Sequence, residues 1–224
     1  MEIHGQKLIS SSVDLINFMG TDKTVVDAAR VSFNKQTKWD EKKDTKLIRY
    51  LAKHNHWSPF SHAFATFKIK APIFVARQLV KHQVGLAWNE VSRRYVDSEV
   101  EIYTPGIWRG RPLNAKQGSG DALRYKDQIL DYVYDDAIHH AKSAYNYLLS
   151  NGVAPEQARA VLPLSAMTEW YWSGSLYAFA RVCVLRLAKD AQKETRDVAE
   201  GINSSLCRLF PVSWKELMNV NSTD

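Results

Sequence analysis

The chain has 224 residues, 45% of them hydrophobic, enough to bury a core as one domain spanning 1–224. Its 30 Lys and Arg against 24 Asp and Glu leave a formal net charge of +6 and a pI near 9.2, which fits an anionic partner but does not separate nucleic acid from a nucleotide or a phosphorylated cofactor. Two cysteines, Cys183 and Cys207, make no disulfide framework, and neither a signal peptide nor an apolar run of membrane length is present, so a reduced, soluble, cytoplasmic protein is expected.

Val13 to Met19 is apolar and predicts a strand, after which Gly20 and Asp22 mark a turn and an N-cap for a helix through Val25, Ala28 and Val31. A charged linker from Lys35 to Asp44 leads to a second helix, in which Leu47, Tyr50 and Leu51 repeat at helical spacing until Asn55. His56 to His62 reads as a turn. From Ala63 to Ile69 the side chains alternate in character, the pattern of a half-buried strand that delivers the chain to Pro72, read as a first helical residue.

The stretch from Arg77 to Tyr95, RQLVKHQVGLAWNEVSRRY, collects basic residues, a histidine, a glutamate, a serine and amides in one short run. Ile73, Ala76 and Val80 predict one face of a helix, with Gln78, Lys81 and His82 on another. Val84 to Trp88 contains Gly85 and reads as a loop. Asn89, Glu90, Ser92, Arg93 and Arg94 then bring a carboxylate, a hydroxyl and two guanidinium groups together; such a set suits a phosphate dianion, though a solvated basic surface has the same composition.

Downstream, Val100 and Ile102 suggest a short strand, and Thr104 to Gly120, with Arg109, Arg111 and Lys116, is a long loop treated as a candidate lid. Ile129, Val133, Ala137, Ala141 and Tyr145 recur every four residues as a helix that Asn151-Gly152 ends. A short helix runs from Pro155 to Val161 and stops at Pro163. Two more are predicted over Gly174 to Leu187 and Asp190 to Leu209, the last closed by Pro211. Both cysteines fall in apolar helical surroundings and are expected in the core. The class is α+β: helix-rich, with a small antiparallel sheet.

The order HxSPFxH (56–62), APIFVARQ (71–78), a basic-His-polar triplet (81–83), NEVSRRY (89–95), RAVLPL (159–164) and a helical LRL (185–187) resembles the flavin-dependent thymidylate synthases, from about Val13 to Ala199. The family signature Arg-His-Arg, seven or eight residues, then Ser falls on Lys81-His82-Gln83 and Ser92; the histidine and serine match and both arginines differ. The resemblance implies reductive methylation of dUMP to dTMP, with methylenetetrahydrofolate as carbon donor, FAD reduced by NADPH as hydride source, no attacking thiol, and a homotetramer with shared active sites. It places Gln78, Glu90, Ser92, Arg93, Arg94, Arg159 and Arg186 at the nucleotide, with Arg186, Arg159 and Ser92 as catalytic residues. At the flavin it places His56, Ser58, Lys81, His82, Gln83, Glu90, Ser175, Tyr177 and Arg181.

Departures gather on the flavin side: Ser61 stands for a family glutamate, Ser175 for an asparagine, Tyr177 for an arginine and Arg181 for another asparagine. Arg181 is expected to supply the missing cation and Tyr177 either to stack on the cofactor or to pack in the core. The pairs His54/His56 and His139/His140 suggest no metal site, since no Cys or carboxylate set completes them. Two alternatives stand: one-carbon transfer to another pyrimidine nucleotide, leaving a methyl or hydroxymethyl group, and a basic nucleic-acid-binding protein using Arg93, Arg94, Arg109 and Arg111.

Overall fold

A computed structural model describes residues 2–3, 6–7, 10–34, 37–96, 98–113, 117–123 and 127–220; Lys35 and Lys116, counted above among the linker and loop cations, lie outside them. A four-stranded antiparallel sheet is ordered β3-β4-β6-β5, from β3 (Ser12–Met19), β4 (Phe64–Pro72), β6 (Met167–Ser175) and β5 (Leu86–Glu90). A two-stranded β1–β2 hairpin (Glu2–Ile3, Gln6–Lys7) precedes it. The central pair is in register over its whole length, from Phe64 opposite Ser175 to Pro72 opposite Met167.

Alternation gives this sheet two unlike faces. Phe67 lies opposite Trp172 and Ile69 opposite Trp170, all buried, whereas Lys68 and Tyr171 point the other way, with Lys68 paired to Glu169 at 3.0 Å. Helices cover the apolar face. α1 (Asp22–Arg30), α2 (Glu41–Lys53), α6 (Leu176–Arg186), α7 (Lys193–Leu209) and α8 (Pro211–Val220) share one core with it, in which Phe179 meets Phe67 and Trp172 edge-on. A smaller cluster packs α4 (Asp127–Ser150) and α5 (Pro155–Ala158) against Val100, Ile102 and Ala166.

The α+β class and the strands at β3 and β4 agree with the sequence reading, and several boundaries are corrected. Val84 to Trp88 is not a loop throughout: Gly85, at φ +75, turns the chain and Leu86 begins β5, held by Trp88 stacking on Trp170 at 4.3 Å. Met167–Ser175 is a strand that was not anticipated, so Gly174 lies within β6 rather than opening a helix. α3 (Ile73–Leu79) stops before Lys81 and His82, which occupy the following turn, and Pro72 closes β4 as the cap residue of α3. Thr21, not Asp22, caps α1. Asp22 instead accepts from the backbone N–H groups of Val212 and Ser213 at 3.0 and 2.8 Å, so Pro211 opens a helix, α8, where a stop was expected. Val100 and Ile102 form only an isolated bridge, Ile102 to Ala166. Cys183 is buried as expected, but Cys207 is exposed on the outer side of α7.

Gly174 is the tightest point between β5 and β6. A Cβ there would lie 2.4 Å from Leu86 Cδ2 and 2.7 Å from the backbone oxygen of Gly85. Leu86 can change rotamer, but the Gly85 carbonyl belongs to the turn that starts β5. Gly174→Ala is therefore expected to destabilise the fold by about 1–3 kcal/mol, read as a lower urea midpoint; an unchanged midpoint would show that the turn relaxes freely.

Candidate active site

Two strand–helix units build the centre of the site. β4 passes straight into α3 and β6 straight into α6, and because Phe64 pairs with Ser175 and Pro72 with Met167, the helices start from opposite ends of the ladder. Both turn back over the apolar face, and their far ends meet. Arg186, the last residue of α6, donates from Nε to His82 Nε2 at 2.9 Å and from Nη2 to the Gln78 carbonyl at 3.4 Å. Burial first, then the charges of Arg186 and Arg181, hold the half-buried His82 below its ordinary value of 6.5, which leaves a neutral ring with Nε2 as acceptor.

The Gln78 side chain is held from α7. Its Nε2 donates to Gln192 Oε1, and its Oε1 accepts from Thr195 Oγ1 at 3.3 Å. Gln192 Nε2 donates to Glu194 Oε2 at 3.1 Å, while Glu194 Oε1 accepts from Arg109 Nη2 and from Tyr103 Oη. Gln78, Arg109, Arg186, Gln192 and Glu194 line one cleft of about 450 Å³. The long loop thus reaches the site through Arg109, which pairs with Glu194 and donates from Nε to Ser119 Oγ at 2.7 Å. Gln192, Glu194 and Thr195 were missed in the sequence; an acid in the first turn of a helix was the only local signal.

Glu90, Arg93 and Arg159 line a second cleft of about 360 Å³, together with Lys70 and Thr168. Glu90 is already engaged, accepting from Thr168 Oγ1 at 2.6 Å and Trp88 Nε1 at 3.1 Å. Arg93 is turned inward to the carbonyls of Ser98 and Glu99. Ser92 Oγ accepts from the backbone N–H and Nε of Arg94 at 3.3 and 3.2 Å, a local knot of donors beside an exposed guanidinium. Arg159 is exposed and donates from Nε to the carbonyl of Glu156 at 3.2 Å. Within one chain five of the expected nucleotide residues are therefore divided between two clefts, Gln78 and Arg186 in one and Glu90, Arg93 and Arg159 in the other, while Ser92 and Arg94 line neither.

The residues expected at the flavin lie mainly on the surface: His56 and Ser58 ahead of β4, Tyr177 and Arg181 on α6, and Lys81 and Gln83 on either side of His82 in the turn after α3. His56, Ser58, Lys81, Gln83 and Arg181 are exposed. Tyr177 donates to Asn55 Oδ1 at 2.9 Å and lies 6.3 Å from the Trp57 ring, at the margin of the core rather than inside it. Tyr50 and His54 extend this aromatic surface, with ring centroids 4.4 Å apart. Ser175 is different: it is buried, and its Oγ accepts from the Ala178 N–H as the cap of α6. Ser61 Oγ reaches only the Trp57 carbonyl, at 3.5 Å.

Residues 14–212 match the model of the family described as thymidylate synthase complementing protein. The chain belongs to this family. A flavin-dependent thymidylate synthase of Thermus thermophilus is 40% identical over 202 residues, 90% of this chain and 73% of the relative. One from Thermosipho melanesiensis is 37% identical over 209 residues, 92% of this chain and 90% of the relative. Among solved structures, a UMP/dUMP methylase, PolB, from Streptomyces cacaoi bound with 5-Br dUMP superposes with a TM-score of 0.85 at 30% identity, covering 96% of this chain and 97% of that one. The same methylase bound with 5-Br UMP gives the same TM-score at 29% identity.

In this member of the thymidylate synthase complementing protein family, the histidine of the Lys81-His82-Gln83 triplet is the residue that meets Arg186. Because the folded value of His82 lies below the unfolded one, the contribution of the neutral ring to stability is complete above the unfolded value and is lost as pH falls through the folded one. An NMR titration of His82 is expected to give a midpoint below 6.5, moving upward in Arg186→Gln; a midpoint above the ordinary value would contradict the neutral acceptor.

Proposed function

We propose that this chain methylates uridylate at C5, converting dUMP to dTMP, with methylenetetrahydrofolate as the carbon donor. The C5 proton is replaced by a methyl group: the methylene carbon comes from the folate, and the hydride that completes it comes from FAD reduced by NADPH. The observation that carries this reading is the junction of Arg186, His82 and Gln78 in a member of this family. A guanidinium fixed by His82 and a backbone carbonyl is already oriented, so it stabilises negative charge building on the pyrimidine without reorganising.

The exposed donors on α6 and in the turns beside it fit a flavin nucleotide. His56 and Trp57 offer exposed rings, and Lys81 and Arg181 offer cations to phosphates. The cysteines support chemistry without a thiol nucleophile: Cys183 is buried, burial pushes its thiol far up, and it meets only the Ala199 carbonyl. A homotetramer with shared sites belongs to the same proposal. It is supported by the division of the nucleotide residues between two clefts and by exposed apolar side chains at Leu15, Ile16, Phe18 and Met19 on β3 and at Ile129, Tyr132, Val133 and Tyr147 on α4. The expected cytoplasmic location stands with it; among the described residues no helix is long and apolar enough to cross a membrane.

The nucleic-acid reading loses two of its four cations, since Arg93 is committed to backbone carbonyls and Arg109 to Glu194. A second enzymatic reading is favoured by one observation: the superposing PolB is named as a UMP/dUMP methylase, so UMP is a candidate substrate beside dUMP.

Incubation with dUMP or UMP, methylenetetrahydrofolate, FAD and NADPH is expected to yield a nucleotide heavier by one methylene group, identified by mass. A hydroxymethyl product, or no product from a preparation with a flavin spectrum, would overturn the reading. Arg186→Ala is expected to lower turnover by about two to three orders of magnitude, the scale of losing one preorganised donor. Normal turnover in that variant, folded and holding FAD, would remove Arg186 from the mechanism.

A further inference from the structure

Side-chain amides are nearly symmetric in shape, so an isolated Gln presents its oxygen or its nitrogen to a ligand with little preference. The line of contacts behind Gln78 removes that freedom. A carboxylate only accepts hydrogen bonds. Glu194 Oε2 therefore takes the nitrogen end of Gln192, at 3.1 Å, which leaves the Gln192 oxygen facing Gln78. That oxygen takes the nitrogen end of Gln78, and the Gln78 oxygen is left to the Thr195 hydroxyl at 3.3 Å. Each amide inherits its direction from the one before it.

We propose that Glu194 is a positioning residue that sets the donor and acceptor order of Gln78 through Gln192, and so sets which pyrimidine ring the cleft accepts. The inference rests on the reading that Gln78 contacts the nucleotide base. Uracil carries an N–H at N3 and an oxygen at C4, where cytosine carries a bare nitrogen and an amino group. An amide of fixed direction distinguishes the two patterns, and one that flips serves both. A site built around fixed hydrogen-bonding partners rejects a mismatched analogue strongly, because the mismatch leaves its polar groups unpaired.

The rest of the cluster keeps Glu194 in its acceptor-only form. The residue is only 7% exposed, and burial opposes its charge. The hydrogen bond and charge of Arg109, with hydrogen bonds from the Glu194 backbone and Gln192, together overcome that cost, so the carboxyl sits below its ordinary value of 4.5. Tyr103, its own ionisation pushed well up by burial and by Glu194, remains a hydroxyl donor to the same oxygen at 3.3 Å. Arg109 thereby gives the long loop a role at the cleft: it brings the cation that holds the relay in one direction.

The test compares equilibrium binding of dUMP and dCMP to the FAD-loaded enzyme. Glu194→Gln replaces the acceptor by an amide of the same shape and is expected to lower the dUMP/dCMP affinity ratio by about tenfold or more, the scale of losing about 1.4 kcal/mol of discrimination. Gln192→Met, which breaks the line without touching the Arg109 pair, is expected to lower it similarly and decides the matter if Glu194→Gln does not fold. A ratio unchanged in the folded variants, or a uniform loss for both nucleotides, overturns the relay. Gln78→Leu separates the two layers. If it leaves dUMP affinity unchanged, the placement of the base at Gln78 fails and the relay with it; if it weakens dUMP while the ratio survives Glu194→Gln, the relay alone fails.

Discussion

The pairing of β4 with β6 is the constraint on which the rest of the molecule depends. Nine consecutive residue pairs run without a shift, and each strand turns into a helix at its own end. The antiparallel sense therefore sends α3 and α6 back over the apolar face from opposite directions, and the turn after α3 approaches the last residue of α6. Arg186 and His82, 104 positions apart, come within hydrogen-bonding distance for that reason. A shift of one residue in the ladder would turn the apolar side chains of one strand, Phe67 and Ile69 or Trp170 and Trp172, toward the open face, so the burial of these side chains and the meeting of Arg186 with His82 have the same cause.

Around this frame the polar groups divide by function. On the open face, Lys68 pairs with Glu169 and Thr66 with Ser173, contacts that keep the uncovered side hydrated and single-valued in register. At the helix ends the polar groups are less exposed and interlocked: His82 is held below its ordinary value by burial and then by the charges of Arg186 and Arg181, and Glu194 below its own, against burial, by Arg109 together with hydrogen bonds from the backbone and Gln192. These outcomes differ although both neighbours are arginines, because a cation beside an imidazole disfavours its protonation whereas a cation beside a carboxylate favours its ionisation. A cleft edged by one fixed donor and one directed amide is suited to a ring on which charge develops.

Much of the fold was readable from residue patterns, and the exceptions share a physical origin. Alternation between Ala63 and Ile69 marked β4, and the four-residue recurrence from Ile129 to Tyr145 marked α4. β6 was overlooked although Trp170, Trp172 and Gly174 alternate with the more exposed Tyr171 and Ser173, because bulky aromatics and a glycine next to a helical run suit either assignment. β5 was hidden by Gly85, whose positive φ makes a turn on one side and starts a strand on the other. α8 was lost because its opening is capped by Asp22, a residue 190 positions away in the chain. The same limit applied to the site. The family motifs pointed to His82, Gln78 and Arg186, whereas Gln192, Glu194 and Arg109 are joined only by tertiary contact, through side chains that carry no motif of their own.

The central claim is that the nucleotide binds where the ends of α3 and α6 meet. Its most direct test is the Nε–H resonance of Arg186, followed in nitrogen-labelled enzyme during titration with dUMP in the absence of folate and NADPH, so that binding occurs without turnover. The account predicts a saturable shift of that resonance, with the same midpoint as the overall binding curve, and a parallel shift of the His82 ring nitrogens. Saturation of dUMP binding with both signals unmoved would place the nucleotide elsewhere and contradict the account.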